Sequence, residues 1–230
     1  MQESGTFEFR QCITIARAVG MKAKNLKELR DAIAVVHPAS IYHHTYQYFL
    51  KGHTMEYTND FAQWAGESLE NRALSEHLSI VDPYEFKNLE DLRKELLNVI
   101  DGYTGTKSQG SGSQGKLVPR DAVPGDEFFF NRGFTVVFPA GIRARNLAEF
   151  QIAMRALEKG SIYYHFYDAR ARQGVDDFST WVLKTLGKEK LAGQIRAVDP
   201  FMISTEGVRA HILRAVEDEL INEIEEGDAL

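Results

Sequence analysis

The chain has 230 residues, 43% of them apolar and 26% charged, with a formal net charge of -6. That length holds one large domain or two of about 100 residues each, and the composition is that of a folded globular protein. The negative balance, without a basic tail, argues against nucleic-acid binding, which relies on a surplus of Lys and Arg to neutralise phosphates.

The single cysteine, Cys12, has no partner for an intramolecular disulfide or a cysteine zinc site, so the expected compartment is a reducing cytoplasm. No apolar run is long enough to span a bilayer, and the start "MQESGTFEFRQ" lacks the basic and apolar segments of a secretory signal. The expectation is therefore no membrane, no metal and no cofactor.

In chain order, residues 10–23 (RQCITIARAVGMKA) read as a strand. Asn25 followed by Glu28 forms a capping-box pattern that opens a helix over residues 26–36. Ser40 is placed to cap a second helix containing "SIYHHTYQYF", Asn59 with Asp60 to cap a third, and "DP" at residues 82–83 to open another helix or turn. A last helix covers "NLEDLRKELLNVI". Residues 104–126 are rich in Gly, Ser, Gln and Pro and read as a flexible linker.

Beyond the linker the order recurs. The strand is "GFTVVFPAGIRA", in which Pro139 points to an edge or a bulge. Asn146 with Glu149 repeats the capping box, Ser161 the second cap, Asp176 with Asp177 the third, and "DP" at residues 199–200 the turn. Residues 7–46 match 128–167 at 14 of 40 positions, and 60–83 match 177–200 at 8 of 24, an internal repeat with a four-residue insertion around "KGHTMEY" in the first copy. The acidic end "DELINEIEEGDAL" reads as a solvated extension of the last helix.

The expected fold is α+β and mainly helical: two homologous copies, residues 1–103 and 127–230, each one or two strands followed by about four short helices. They are expected to pair within the chain as a pseudo-dimer, with strands of both copies in one small sheet and a pseudo-twofold axis.

Several constellations carry chemistry. On an ideal helical wheel Ile41, His44, Thr45 and Tyr48 share one side while His43 points away. Two roles fit His44 and His165: acid/base residues with Asp60 and Asp177, or buried rings satisfied within their own copy. Tyr42 and Tyr163 accompany them as ligand-lining or packing residues. "DFxxW", at Asp60 to Trp64 and Asp177 to Trp181, sets Phe and Trp on one helix face as core anchors. Lys22 with Lys24, and Arg143 with Arg145, alternate just before a helix N-terminus and suit a small anion or an exposed edge equally. Searches for GxSxG, a P-loop and HExxH find nothing.

The combination "SIYxH", "DFxxW" and "LAxxIxxVDP", most complete in Ser161 to His165, Asp177 to Trp181 and Leu191 to Pro200, resembles a bacterial family known as a domain of unknown function, often present in two copies. The resemblance covers some 200 residues and assigns no catalytic residue. The reading favoured is a non-catalytic binding or regulatory protein that takes a protein partner or a small anion. An enzyme acting on a small anionic substrate through His44 and His165, and a scaffold for protein partners, are the alternatives.

Overall fold

The computed structural model describes residues 5–51, 56–104, 120–201 and 203–228; His53 in the expected insertion, and residues 105–119 of the expected linker, lie outside the described residues. The fold is α+β and mainly helical. Strands β1 (Phe7–Ala23) and β2 (Phe128–Ala144) form a two-stranded sheet, so each strand has an edge that Pro139 can occupy without removing a ladder donor. Both start earlier than expected, because Phe7-Glu8-Phe9 and Phe128-Phe129-Phe130 alternate buried and exposed side chains ahead of the apolar runs.

The chain divides into two compact units. One comprises Met1–Thr14 with Thr135–Leu230, the other Ile15–Phe134. Each unit therefore contains the helices of one half of the sequence and a strand segment that precedes the helices of the other half.

In the unit of Ile15–Phe134, α1 (Leu26–Val35) opens on Asn25, whose side chain accepts the Glu28 amide, while the Glu28 carboxylate accepts the Lys24 amide. This reciprocal cap satisfies orphan donors of the first turn. Helices α2 (Pro38–His44), α3 (Asp60–Glu67), α4 (Arg72–Ser79) and α5 (Leu89–Thr104) follow, with 3₁₀ turns at Tyr48–Lys51 and Pro83–Glu85. Helix α5 packs on α1, α2 and α4 through buried Leu92, Leu96 and Ile100, each contributing about 1.5–3 kcal/mol of apolar burial. Its Arg93 donates to the carbonyls of Ile33 and Val36 at the end of α1.

In the other unit, α6 (Leu147–Ala156) opens on Asn146 in the same way. Helix α7 (Lys159–Ile162) runs into a π-helical stretch, Tyr163–Asp168, and on into α8 (Ala169–Gln173), which stops at Gly174 with φ of 79°. Only a residue tolerant of the left-handed region ends a helix this way cheaply. Helices α9 (Asp177–Leu186), α10 (Glu189–Arg196) and α11 (Thr205–Asp228) complete it. The last extends into the acidic end of the chain, and residues 221–225 are exposed as expected of a solvated extension.

Two local expectations are corrected. Ser40 and Ser161 are not N-caps: His37 caps α2, accepting the Ala39 amide through Nδ1, and α7 begins after Glu158 without a side-chain cap. Pro38 supplies the start of α2, which frees Ser40 for another role. His43 does not point away; it is buried and its Nδ1 lies 2.8 Å from the Gln47 amide oxygen. The wheel fails there because α2 ends at His44, and Gln47 N bonds to Tyr42 O, five residues back.

Candidate functional site

The SIYxH segments and the DFxxW helices converge on strand backbone. In the unit of Ile15–Phe134, Ser40 Oγ donates to the carbonyl of Asn131 at 2.7 Å and His44 Nε2 accepts the amide of the same residue at 2.9 Å. His44 Nδ1 faces Asp60 Oδ2 at 2.5 Å, and Lys51 also pairs with Asp60. In the other unit, Ser161 Oγ donates to the carbonyl of Arg10 at 2.7 Å, His165 Nε2 accepts the Arg10 amide at 2.8 Å, and His165 Nδ1 faces Asp177 Oδ2 at 2.9 Å. Gln173 holds the second Asp177 oxygen at 2.7 Å.

This network fixes the tautomer. A ring nitrogen that accepts a main-chain N–H carries no proton, so each imidazole is neutral with its proton on Nδ1, donated to the carboxylate. Both rings are buried, His44 at 2% exposure and His165 at 4%. Burial pushes the His44 pKa below its ordinary value, against the opposing pull of Asp60. For Asp60 itself burial acts upward, but the His44 hydrogen bond and the Lys51 ammonium outweigh it and hold the carboxyl below its usual range. His43, buried beside Lys51, is pushed down to about 4.

Aromatic rings surround each clamp. Phe128 stacks on Phe61 at 5.2 Å and meets Trp64 at 5.8 Å, while Phe7 lies 5.7 Å from Phe178 and 5.5 Å from Trp181. Each indole N–H then reaches a strand-side carbonyl: Trp64 to Asp126 at 2.6 Å, Trp181 to Gly5 at 3.0 Å. DFxxW thus does more than anchor the core, since its Trp donates and its Asp fixes the histidine.

The remaining residues singled out by sequence lie elsewhere. Tyr163 is fully buried and stacks on Tyr167 at 5.8 Å, and Tyr42 stacks on Tyr46 at 4.8 Å. The four basic residues are exposed and paired: Lys22 with Glu127 at 3.3 Å, Lys24 with Glu28 and Asp121, Arg143 with Glu8 at 3.1 Å, Arg145 with Glu149 at 2.9 Å. An incoming anion would compete with those carboxylates. Among the described residues, no group of three His, Cys, Asp or Glu is arranged to hold a metal, and no helix is long and apolar enough to cross a membrane.

A family model described as a family of unknown function, DUF5752, matches residues 4–217. The chain belongs to the DUF5752 family. The match runs through both units, clamps included. No curated protein matches this DUF5752 chain. The solved structure of OrfY from Thermoproteus tenax is similar to it, with a TM-score of 0.73 and 29% identity over 94% of this chain and 95% of that one.

Sequence reasoning missed two parts of the DUF5752 site. The clamped partners are main-chain groups of Arg10 and Asn131, to which residue type gives no clue. The second is a close approach: Cys12 Sγ donates to Gly160 O at 3.3 Å, and a Cβ on Gly160 would stand 2.2 Å from Cys12 O. Burial, then the charge of Asp168, pushes the Cys12 thiol up to about 12, so it stays protonated. The available signal was the Gly and Cys pair set against Ala39 and Gly133 at the matching positions.

Proposed function

We propose that this protein is a non-catalytic binding or regulatory module, built by duplication as an intramolecular pseudo-dimer in which each half lends a strand segment to the other. Copies at residues 1–103 and 127–230, joined by a linker at 104–126, are the units of that duplication, and the cytoplasm is its expected place. The observation that carries the reading is the use of both ring nitrogens of His44 and His165. One accepts a strand amide and the other faces a carboxylate, so neither ring can exchange a proton with a substrate without releasing either its strand amide or its carboxylate. A binding module is further supported by apolar strand residues left in solvent, among them Ile13 at 49%, Val136 at 48% and Phe138 at 38% exposure, which suit a protein partner.

The test is a thermal-shift screen of phosphates, sugars and divalent cations on the parent chain and on His44→Ala and His165→Ala variants. The module reading expects both variants to melt lower with no ligand response removed. A small-molecule stabilisation present in the parent and lost in a variant that still folds by circular dichroism overturns it in favour of the enzyme reading.

A further inference from the structure

The helix pairs α1 with α5 and α6 with α11 are built alike. Arg209 donates to the carbonyl of Met154 as Arg93 does to that of Ile33, the matching residue. Their outer faces differ. On α6 and α11, Ile152, Ile221 and Ile224 stand 66%, 53% and 64% exposed, all within the unit of Met1–Thr14 and Thr135–Leu230. The first copy has Asp31, Gly105 and Ser108 at the matching sequence positions. An ion pair of Arg155 with Glu217 ties α6 to α11, with Ile152 one turn before the arginine and Ile221 one turn after the glutamate. The matched pair runs antiparallel, since Arg93 reaches the end of α1 while Arg30, nearer its start, reaches Asp101. The three isoleucines therefore border one face of the α6 and α11 pair. Packing of the unit does not use them, and solvation disfavours them. Asp218 and Glu225 flank the stripe, exposed and without a cationic partner among the described residues.

A surface of opposite charge lies on strand residues of the unit Ile15–Phe134. Thr14 meets Thr135 and Lys22 meets Glu127, so the strands run antiparallel and set Ile15 opposite Phe134 and Arg17 opposite Arg132. Alternation along each strand turns these four to one side of the sheet. Ile15 and Phe134 are exposed. The Arg132 guanidinium lies 4.7 Å over the Phe134 ring, and neither arginine has a carboxylate partner among the described residues. A two-stranded ribbon needs a third strand or a helix against its apolar side for stability.

We infer that these two surfaces are the halves of one interface between copies of this chain: the isoleucine face of α6 and α11 in one copy covers Ile15 and Phe134 of the next, with Asp218 and Glu225 set toward Arg17 and Arg132. Apolar contact supplies the affinity and the charged rim the orientation. Charge decides the pairing, because two isoleucine faces would bring like carboxylates together, and two strand surfaces like guanidinium groups. The contact is heterologous, a different patch on each side. The inference rests on the binding-module reading and names the partner as a second copy.

The test measures the mass of the full chain by light scattering over about 1–100 µM, the range in which a modest interface reveals itself. The parent is expected to exceed the mass of one chain and to dissociate on dilution. Ile221→Asp with Ile224→Asp should weaken association at least about tenfold, as should Arg17→Glu with Arg132→Glu, since each buries an unpaired or like charge. An equimolar mixture of the two variants should associate again, because each retains the half that the other lacks. A mixture that stays monomeric overturns the inference, as does a parent whose association neither variant weakens. A parent that is monomeric throughout overturns it too, and assigns the isoleucines to an unlike protein. Should either double variant unfold, Ile224→Asp and Arg17→Glu, each at an exposed position, replace them. A monomeric chain leaves the histidine clamps and the small-molecule screen unchanged, so the module reading stands or falls separately.

Discussion

Acidification from about pH 7 to about pH 5 should weaken the unit of Ile15–Phe134, and His43 permits the size to be worked out. Its pKa falls from 6.5 to about 4 through burial, reinforced by Lys51. A base whose pKa is lower in the folded state is bound by more protons when unfolded, so stability is full above the unfolded value and declines as pH falls toward the folded one. Between those limits the slope is about 1.4 kcal/mol per pH unit, which gives a loss of about 2 kcal/mol at about pH 5 and about 3 kcal/mol once pH reaches the folded value. His44, also held low by burial, adds to the same slope. The assay is urea unfolding of a Trp181→Phe chain followed by the fluorescence of Trp64, which sits in this unit. With a slope of about 1–3 kcal/mol per molar urea, His43 alone should move the midpoint down by roughly 1 M on acidification. His43→Gln removes the titrating ring and should recover that part of the shift. If the variant and the parent lose the same stability on acidification, the reasoning from burial is wrong.

Other substitutions probe the clamps and caps. Ser161→Ala strands the carbonyl of Arg10 without its donor and should cost about 1–3 kcal/mol, read as a lower urea midpoint of Trp181 fluorescence. Gly160→Ala drives a methyl into Cys12 O, 2.2 Å from its Cβ, and should cost about 1–3 kcal/mol by overpacking. Adding Cys12→Gly, which recreates the pairing of Ala39 with Gly133 and removes the thiol that ties the strand to Gly160, should return part of that loss in a double-mutant cycle. Asn59→Ala removes both the α3 cap to Ala62 and a bond to Leu78 O, so calorimetry should show more than the roughly 1 kcal/mol typical of a cap alone.

Much of this architecture is legible from local chemistry. Asn25, Asn59, Asn146 and Asp176 cap helices where their spacing to the next apolar run says they should, because a cap is decided within four residues. Phe61, Trp64, Phe178 and Trp181 are buried as their i, i+3 spacing indicates. What local chemistry cannot reach is the partner of a side chain more than a hundred positions away. Ser161 has the composition of a cap and serves as a donor to Arg10, 151 residues distant. His43 sits where an ideal wheel turns it outward, but the wheel presumes a helix that the backbone abandons after His44. The unlike residues at the clamped positions hid the strand contact as well.

That unlikeness yields the sharpest separation between a clamp on backbone and a site on side chains. Arg10 is exposed, and its amide and carbonyl, not its guanidinium, are what His165 and Ser161 hold. Arg10→Asn copies the residue of the other clamp and should change stability by no more than about 0.5 kcal/mol, as for ordinary surface substitutions. Arg10→Pro deletes the donor to His165 Nε2 and leaves a buried ring nitrogen unpaired, with an expected loss of about 3 kcal/mol or more once the constraint on the strand is included. Amide exchange on the two variants tells the cases apart: protection along residues 7–14 should survive the asparagine and collapse with the proline. A loss with asparagine as large as with proline would mean that the guanidinium, rather than the main chain, is the group the clamp reads.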